Sequence, residues 1–163
     1  MQTDVVRSQN WSYATTKEGE SMAPSTRSGN PFEQIIEAVL KQNYPDQFRR
    51  HIAIGHQLFG SKYIADFVLD TPEGKVIISA KWQQVSGTAE QKLLYEIASL
   101  IKIVKESSGQ IRKTYVVLDG PGFSKTAKSF LLKQGHVGYL QDGNLVEVLD
   151  VANFTARANQ KTL

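Results

Sequence analysis

The chain has no cysteine, which excludes disulfides, thiolate metal sites and cysteine nucleophiles and fits a reducing, cytoplasmic compartment. No apolar run approaches the roughly 18 residues of a membrane span, so no membrane partner is expected. The first residues lack an apolar h-region and do not read as a secretory signal. Internal repeats are absent, and outside the first residues there is no low-complexity tract. Charge of neither sign dominates: 19 basic against 16 acidic residues give a net +3, which permits a polyanionic partner without requiring one. At 163 residues one domain with a real core is the default.

Residues 1–29 are rich in Ser, Thr, Gln and Gly without a sustained period and read as a flexible N-terminal arm. Only Trp11 and Tyr13 offer it a docking point. The body is read as residues 30–163. Asn30 and Pro31 start a helix, with Glu33 at the capping-box position. Phe32, Ile35, Ile36, Val39 and Leu40 give it a buried face.

Strands follow at 51–55, 62–70 and 74–82, the last two joined by Thr71-Pro72-Glu73-Gly74. Thr88, with Gln91 three residues on, opens a long second helix with an apolar stripe from Leu93 to Val104. Residues 114–118 form a continuous apolar run, expected as a central strand. Ser124 caps a third helix ending near Gly135, and Val137–Leu140 with Leu145–Leu149 suggest a hairpin about Asp142-Gly143. The order α-β-β-β-α-β-α-β-β implies an α/β (α+β) fold, with a central mixed β-sheet flanked by helices on both faces.

Asp66 lies near the start of one apolar strand and Lys81 near the end of the next. Antiparallel pairing brings both to one end of the sheet. A carboxylate there is a hard oxygen ligand for Mg²⁺ or Mn²⁺, and the Ala80 carbonyl offers a second oxygen. Lys81 is suited to orient a water and offset charge on a phosphate. Gln91 and Tyr95, four residues apart, share one face of the second helix. His51, His56 and His136 show no ligand spacing and read as structural or surface residues.

An acid on the first helix, Asp66 on the second strand, Lys81 closing the third and a Gln-x-x-x-Tyr helix form an ordered set. It resembles the PD-(D/E)xK nuclease superfamily over about residues 30–118. The run Lys81-Trp82-Gln83-Gln84-Val85-Ser86-Gly87-Thr88-Ala89-Glu90-Gln91-Lys92 is similar to a stretch in restriction-enzyme-like members. The resemblance implies an α-β-β-β-α-β restriction-endonuclease-like core, and a catalytic set of Asp66, Lys81, Gln91 and Tyr95. The first-helix glutamate would be Glu33, with Glu37 the alternative. Metal ligands would come from Asp66, Ala80 and Glu33.

One position departs from the pattern: Ser79 stands where the family carries an acid two residues before the lysine. Glu33, Glu90 or the Gln83 amide replaces that ligand, or Asp66 holds the metal with backbone and water alone, or the site is inactive. A migrated ligand is the preferred reading. The implied activity is Mg²⁺-dependent (Mn²⁺ substituting), site-specific endonucleolytic cleavage of DNA, of restriction or homing type. Alternatives are a Holliday-junction resolvase, a recombination exonuclease or an inactive DNA-binding module. Arg49, Arg50, Gln57, Gln83, Gln84, Lys125 and Lys128 are the candidate DNA contacts, with His56 beside them. A homodimer or higher homo-oligomer is expected, since cutting two strands calls for two sites.

Overall fold

Helix α1 (Pro31–Asn43) begins where the sequence places its cap, with the Asn30 side chain accepting the Phe32 N–H. In the computed structural model, which describes residues 30–163, this helix is followed by β1 (Phe48–His56), β2 (Lys62–Thr71) and β3 (Gly74–Trp82). Next come α2 (Ala89–Glu106), β4 (Ile111–Asp119), α3 (Lys125–Leu132), two short 3-10 turns, β5 (Val146–Leu149) and α4 (Val151–Asn159). The arm read over residues 1–29, with Trp11 and Tyr13, lies outside the described residues. Among the described residues no helix is long and apolar enough to cross a membrane.

The strands form one sheet in the order β1-β2-β3-β4-β5. The β1–β2 and β2–β3 pairs are antiparallel, while β3–β4 and β4–β5 are parallel, so the sheet is mixed as the element order implied. Each face is buried by helices. On one face Phe32, Ile36 and Leu40 of α1 and Phe154 and Ala158 of α4 pack on Phe67, Leu69, Ile78 and Val117. On the other, Leu93, Ile97, Leu100 and Val104 of α2 and Leu131 of α3 pack on Val68, Ile77, Val116 and Val148.

Three sequence readings are corrected. Residues 137–140 do not form a hairpin with 145–149. Gly135–Gly138 is a 3-10 turn, and β5 pairs in parallel with β4 instead. The cause is His136, which is fully buried and sets Nε2 2.8 Å from the Val146 carbonyl and 3.2 Å from that of Gly143. Thr88 makes no side-chain capping bond, so the capping box with Gln91 does not form. The chain also gains α4, which starts where Asp150 accepts the Asn153 N–H at 2.8 Å.

The β5 edge is closed by side chains. Gln134 donates to the Val148 carbonyl at 2.7 Å and accepts the Val148 N–H at 3.0 Å. The amide thereby mimics a neighbouring strand and blunts the edge against pairing with another chain.

Helix α4 is integral to the core, because Phe154 is fully buried among residues of α1 and the sheet. Phe154→Ala is expected to cost about 3–5 kcal/mol, read as a lower urea midpoint with an unchanged slope.

Candidate functional site

The β1–β2 ribbon changes face at one level. Before it, Phe48 packs on the α1 side and the Arg50 guanidinium lies 5.6 Å from the Phe67 ring. Beyond it, Ile52 and Ile54 pack on the α2 side. The partner strand does the same, with Phe67 and Leu69 on the α1 side but Tyr63 and Ala65 on the α2 side. Strict alternation would keep each set on one face. Between the cross-strand pairs Arg50–Phe67 and Ile52–Ala65 stand His51 and Asp66. His51 has φ +50°, a left-handed conformation that a non-glycine residue seldom adopts. The ribbon rolls over there, and the two side chains are left at the crease.

Pairing of β2 with β3 stops at the same level. The ladder runs from Thr71–Gly74 to Phe67–Ile78. At the next step the Asp66 carboxylate enters between the strands and accepts the Ala80 N–H at 2.7 Å. The end of β3 continues to pair with β4 through Ser79, Ala80, Lys81 and Trp82. The first half of β2 and the end of β3 therefore form a fork.

Helix α2 fills the fork with Glu96. Its Oε1 accepts from Tyr63 OH at 2.7 Å and Ser79 Oγ at 2.8 Å, and pairs with Lys81 Nζ at 3.0 Å. Ser79, fully buried, also lies 3.5 Å from Asp66 Oδ2. The position that would have carried an acid thus holds a neutral hydroxyl facing an acid from another element. Of the residues considered as its replacement, Glu90 is spent on α3, accepting the Ser124 N–H and, at 3.2 Å, its hydroxyl.

Gln83 is buried, and its amide donates to the carbonyls of Val85 (3.0 Å) and Gly122 (3.2 Å). Its Oε1 is buried without a hydrogen-bond partner among the described residues, and the residue lines a pocket with Lys81 and Glu96. The tight fit of this loop requires Gly120: φ is +115°, and a Cβ there would lie 2.3 Å from the Gln83 carbonyl oxygen.

On the other side of Asp66, its carboxylate, that of Glu33 and the His51 imidazole have ligand atoms within 4.8 Å of one another. His51 Nε2 lies 3.3 Å from Glu33 Oε2. Glu33 reaches across to β1 rather than closing its capping box, with Arg50 at 3.6 Å. Glu37 is held away by Arg50 (2.6 Å) and Lys41 (2.9 Å). His51 and Glu96 are the residues that sequence reasoning missed. Both come from elements remote in the chain, and the one signal for Glu96 was an acid set directly against the buried stripe before Ile97.

Burial raises the Asp66 carboxyl above its ordinary value of 3.8. Lys81 and the Ala80 N–H oppose that rise, while Glu33 and Glu96 add to it. Burial works to lower the Lys81 ammonium, yet Glu96 and Asp66 outweigh it and hold the group above its usual range. The Tyr63 hydroxyl is pushed well up, first by burial and then by Glu96. The cluster is thus rich in negative charge and fitted to a cation.

The remaining candidates scatter. Tyr95 accepts the Phe59 N–H at 3.1 Å and lines a groove of about 450 Å³ together with Gln57, Lys81 and Glu96. Gln91 is exposed one turn earlier, and no hydrogen bond links it to the acids. Arg49 pairs with Asp70 (3.3 Å) and Lys128 with Asp119 (3.0 Å), so both cations are already engaged. Lys125 is exposed on the first turn of α3, His56 is exposed at the end of β1, and Gln84 accepts from the Trp82 indole at 3.1 Å. Among the described residues no second grouping of His, Asp and Glu has this geometry.

Because the folded chain holds the Asp66 proton more tightly than the unfolded chain, its ionisation opposes folding. That penalty is absent below the ordinary value of 3.8, grows as the pH rises from there to the raised value, and is fully present and constant above it. Asp66→Asn keeps an oxygen for the Ala80 N–H and removes the charge. Without divalent cations it is expected to gain melting temperature on the parent as pH rises from about 3 to about 7, checked by calorimetry.

A family model described as the PD-(D/E)XK nuclease superfamily domain matches residues 24–162. No curated protein sequence matches. Several solved structures are similar. Among them, the small subunit of the heterodimeric restriction endonuclease R.BspD6I shares 18% identity at a TM-score of 0.44, over 79% of this chain and 67% of that one. A protein of unknown function, AF1548, shares 14% at 0.45, over 74% and 58%; the chain thus spans less than two thirds of that protein's length. The family match runs through the crease, the fork and every strand of the sheet, and the chain belongs to the PD-(D/E)XK nuclease superfamily.

Proposed function

We propose that the chain is a divalent-cation-dependent DNA endonuclease whose working acids are Asp66, Glu33 and Glu96. The observation that carries this reading is Glu96, which meets Ser79 and Lys81 in the fork beside Asp66. In this reading it supplies from α2 the carboxylate that β3 lacks, which supports a working nuclease over the inactive module that Ser79 had suggested.

The residues present fit a cation. Glu33, Asp66 and Glu96 offer hard oxygens, suited to Mg²⁺ and Mn²⁺. The His51 imidazole, within reach of Glu33 and Asp66, tilts the set toward Mn²⁺. Such a cation, when bound, supplies Lewis acidity at a phosphoryl oxygen and acidifies water. The protein's own part is positional and electrostatic. Lys81, kept charged by Glu96 and Asp66, faces the phosphate and stabilises its added negative charge. Glu96 and Ser79 fix where that ammonium stands, and Tyr63 holds Glu96. Gln57, Lys62 and Lys92 border the strand's path.

Restriction or homing type cleavage remains the subclass we favour, with a homodimer supplying the second cut. Sedimentation equilibrium with and without DNA is expected to give a dimer. A strict monomer in both would remove the paired-site reading.

The nuclease reading is tested with supercoiled plasmid and Mg²⁺ or Mn²⁺. The parent is expected to nick or linearise it, Asp66→Ala and Lys81→Ala to lose the activity, and Glu96→Gln to lose about 100-fold or more. Cation titration by calorimetry gives a readout apart from turnover. Asp66→Ala abolishes the heat, and His51→Gly, which also relieves the left-handed backbone, weakens Mn²⁺ more than Mg²⁺. Cleavage that survives both alanine variants sinks the proposed site.

A further inference from the structure

The β1–β2 turn holds an aromatic ring in water beside the site. Gln57 to Ser61 close the hairpin, with the Gln57 N–H on the Ser61 carbonyl (2.8 Å) and the Gly60 N–H on that of Gln57 (3.0 Å). The turn is fastened to α2. The Leu58 N–H donates to Ser99 Oγ at 3.2 Å, a fully buried hydroxyl, and the Phe59 N–H donates to Tyr95 OH at 3.1 Å. The backbone is anchored, yet Phe59 is 88% exposed. Its ring centroid lies 4.9 Å from that of Tyr95, with the planes 40° apart. Among the described residues its ring contact is with Tyr95 and its outer face has no neighbour.

Tyr95 is also a wall of the groove of about 450 Å³ that contains Lys81 and Glu96. That volume falls in the range of about 300–1,000 Å³ typical of small-molecule sites. Ile64, 46% exposed, adds an apolar wall. Lys62 and Lys92 also line it, and neither has a carboxylate partner among the described residues. An open π face next to unpaired ammonium groups is the combination that holds single-stranded nucleic acid: bases stack on the ring and phosphates meet the charges. A base inside a duplex has both faces covered by its neighbours and gains nothing from the ring.

We propose that this groove binds an unpaired nucleotide of DNA, its base stacked on Phe59 and its flanking phosphates on Lys62 and Lys92. The favoured substrate then carries a single-stranded or branched segment beside the cut. The proposal rests on the nuclease reading but moves its substrate class from the continuous duplex of a restriction or homing enzyme to the branched or tailed DNA of the alternative reading.

The test measures binding by fluorescence anisotropy with Ca²⁺ as the cation, under conditions where the DNA stays intact. Three DNAs are compared: a blunt duplex, the same duplex with a single-stranded tail, and a fork, the latter two with 2-aminopurine at the first unpaired position. The parent is expected to bind tailed and forked DNA about tenfold tighter than the blunt duplex, with the 2-aminopurine emission changed by stacking. Phe59→Ala removes that advantage and the emission change, leaves blunt-duplex affinity unchanged, and folds normally by circular dichroism. Phe59→Trp keeps the advantage. If the parent binds all three alike, or Phe59→Ala weakens all three equally or none, the proposal is overturned while the nuclease reading stands. If the parent binds none of them, both fall.

Discussion

The site depends on one half-buried carboxylate placed where a backbone hydrogen bond would otherwise run. Asp66 takes the Ala80 N–H, so β3 loses no hydrogen bond when β2 turns away from it. A buried N–H without a partner would cost about 1–3 kcal/mol, and the carboxylate covers that cost while prying the strands apart. The opening is what admits Glu96 from α2 and leaves Lys81 facing the same space. The roll of the β1–β2 ribbon at His51 is the second half of this arrangement. Without it, alternation would carry Asp66 into the α1 core if counted from Ala65, or into the α2 core beside Val68 if counted from Phe67.

This geometry gathers charge of one sign. Glu33, Asp66 and Glu96 all act on Lys81, and the two glutamates raise Asp66 further. Arg50 helps Glu33 but is shared with Glu37. Like charges this close oppose one another, and a fold selected for stability alone would replace one of them with an apolar or neutral group. Ser79 is one such replacement: with Glu96 present, an acid at 79 would add a further negative charge to the same buried space. The neutral hydroxyl from β3 and the carboxylate from α2 thus share one space beside Asp66.

The sheet and its helices were largely legible in the sequence, because apolar periodicity reports burial and burial is what orders these elements. Asp66 and Lys81 stood out for a different reason: each alone is a common kind of surface residue, and only the ordered set with the first-helix glutamate and the Gln-x-x-x-Tyr helix singled them out. His51 and Glu96 were not, since each joins the site only through the roll of the ribbon and the packing of α2, which no local pattern encodes. The hairpin reading at 137–149 failed on the same ground. A single buried histidine, His136, bonding two carbonyls, decided the path where local turn chemistry was ambiguous. Gln83 carries a contact that the sequence did not reveal: its amide nitrogen donates to two carbonyls and ties two loops together.

The division between the two ends of α2 links the site to its surroundings. The stripe Leu93, Ile97, Leu100 and Val104 anchors the helix in the core, which fixes its rotation. Rotation, in turn, sets Glu96 into the fork and Tyr95 under the β1–β2 turn on adjacent flanks. A change that turned this helix by even part of a residue step would move the acid and the aromatic platform together. The chemistry at Lys81 and the surface that would receive a nucleic-acid strand are therefore coupled through one rigid element. The exposed turn 57–61 is pinned to α2 by two hydrogen bonds from its backbone N–H groups to the Ser99 and Tyr95 hydroxyls, so the turn and the fork stand on the same helix.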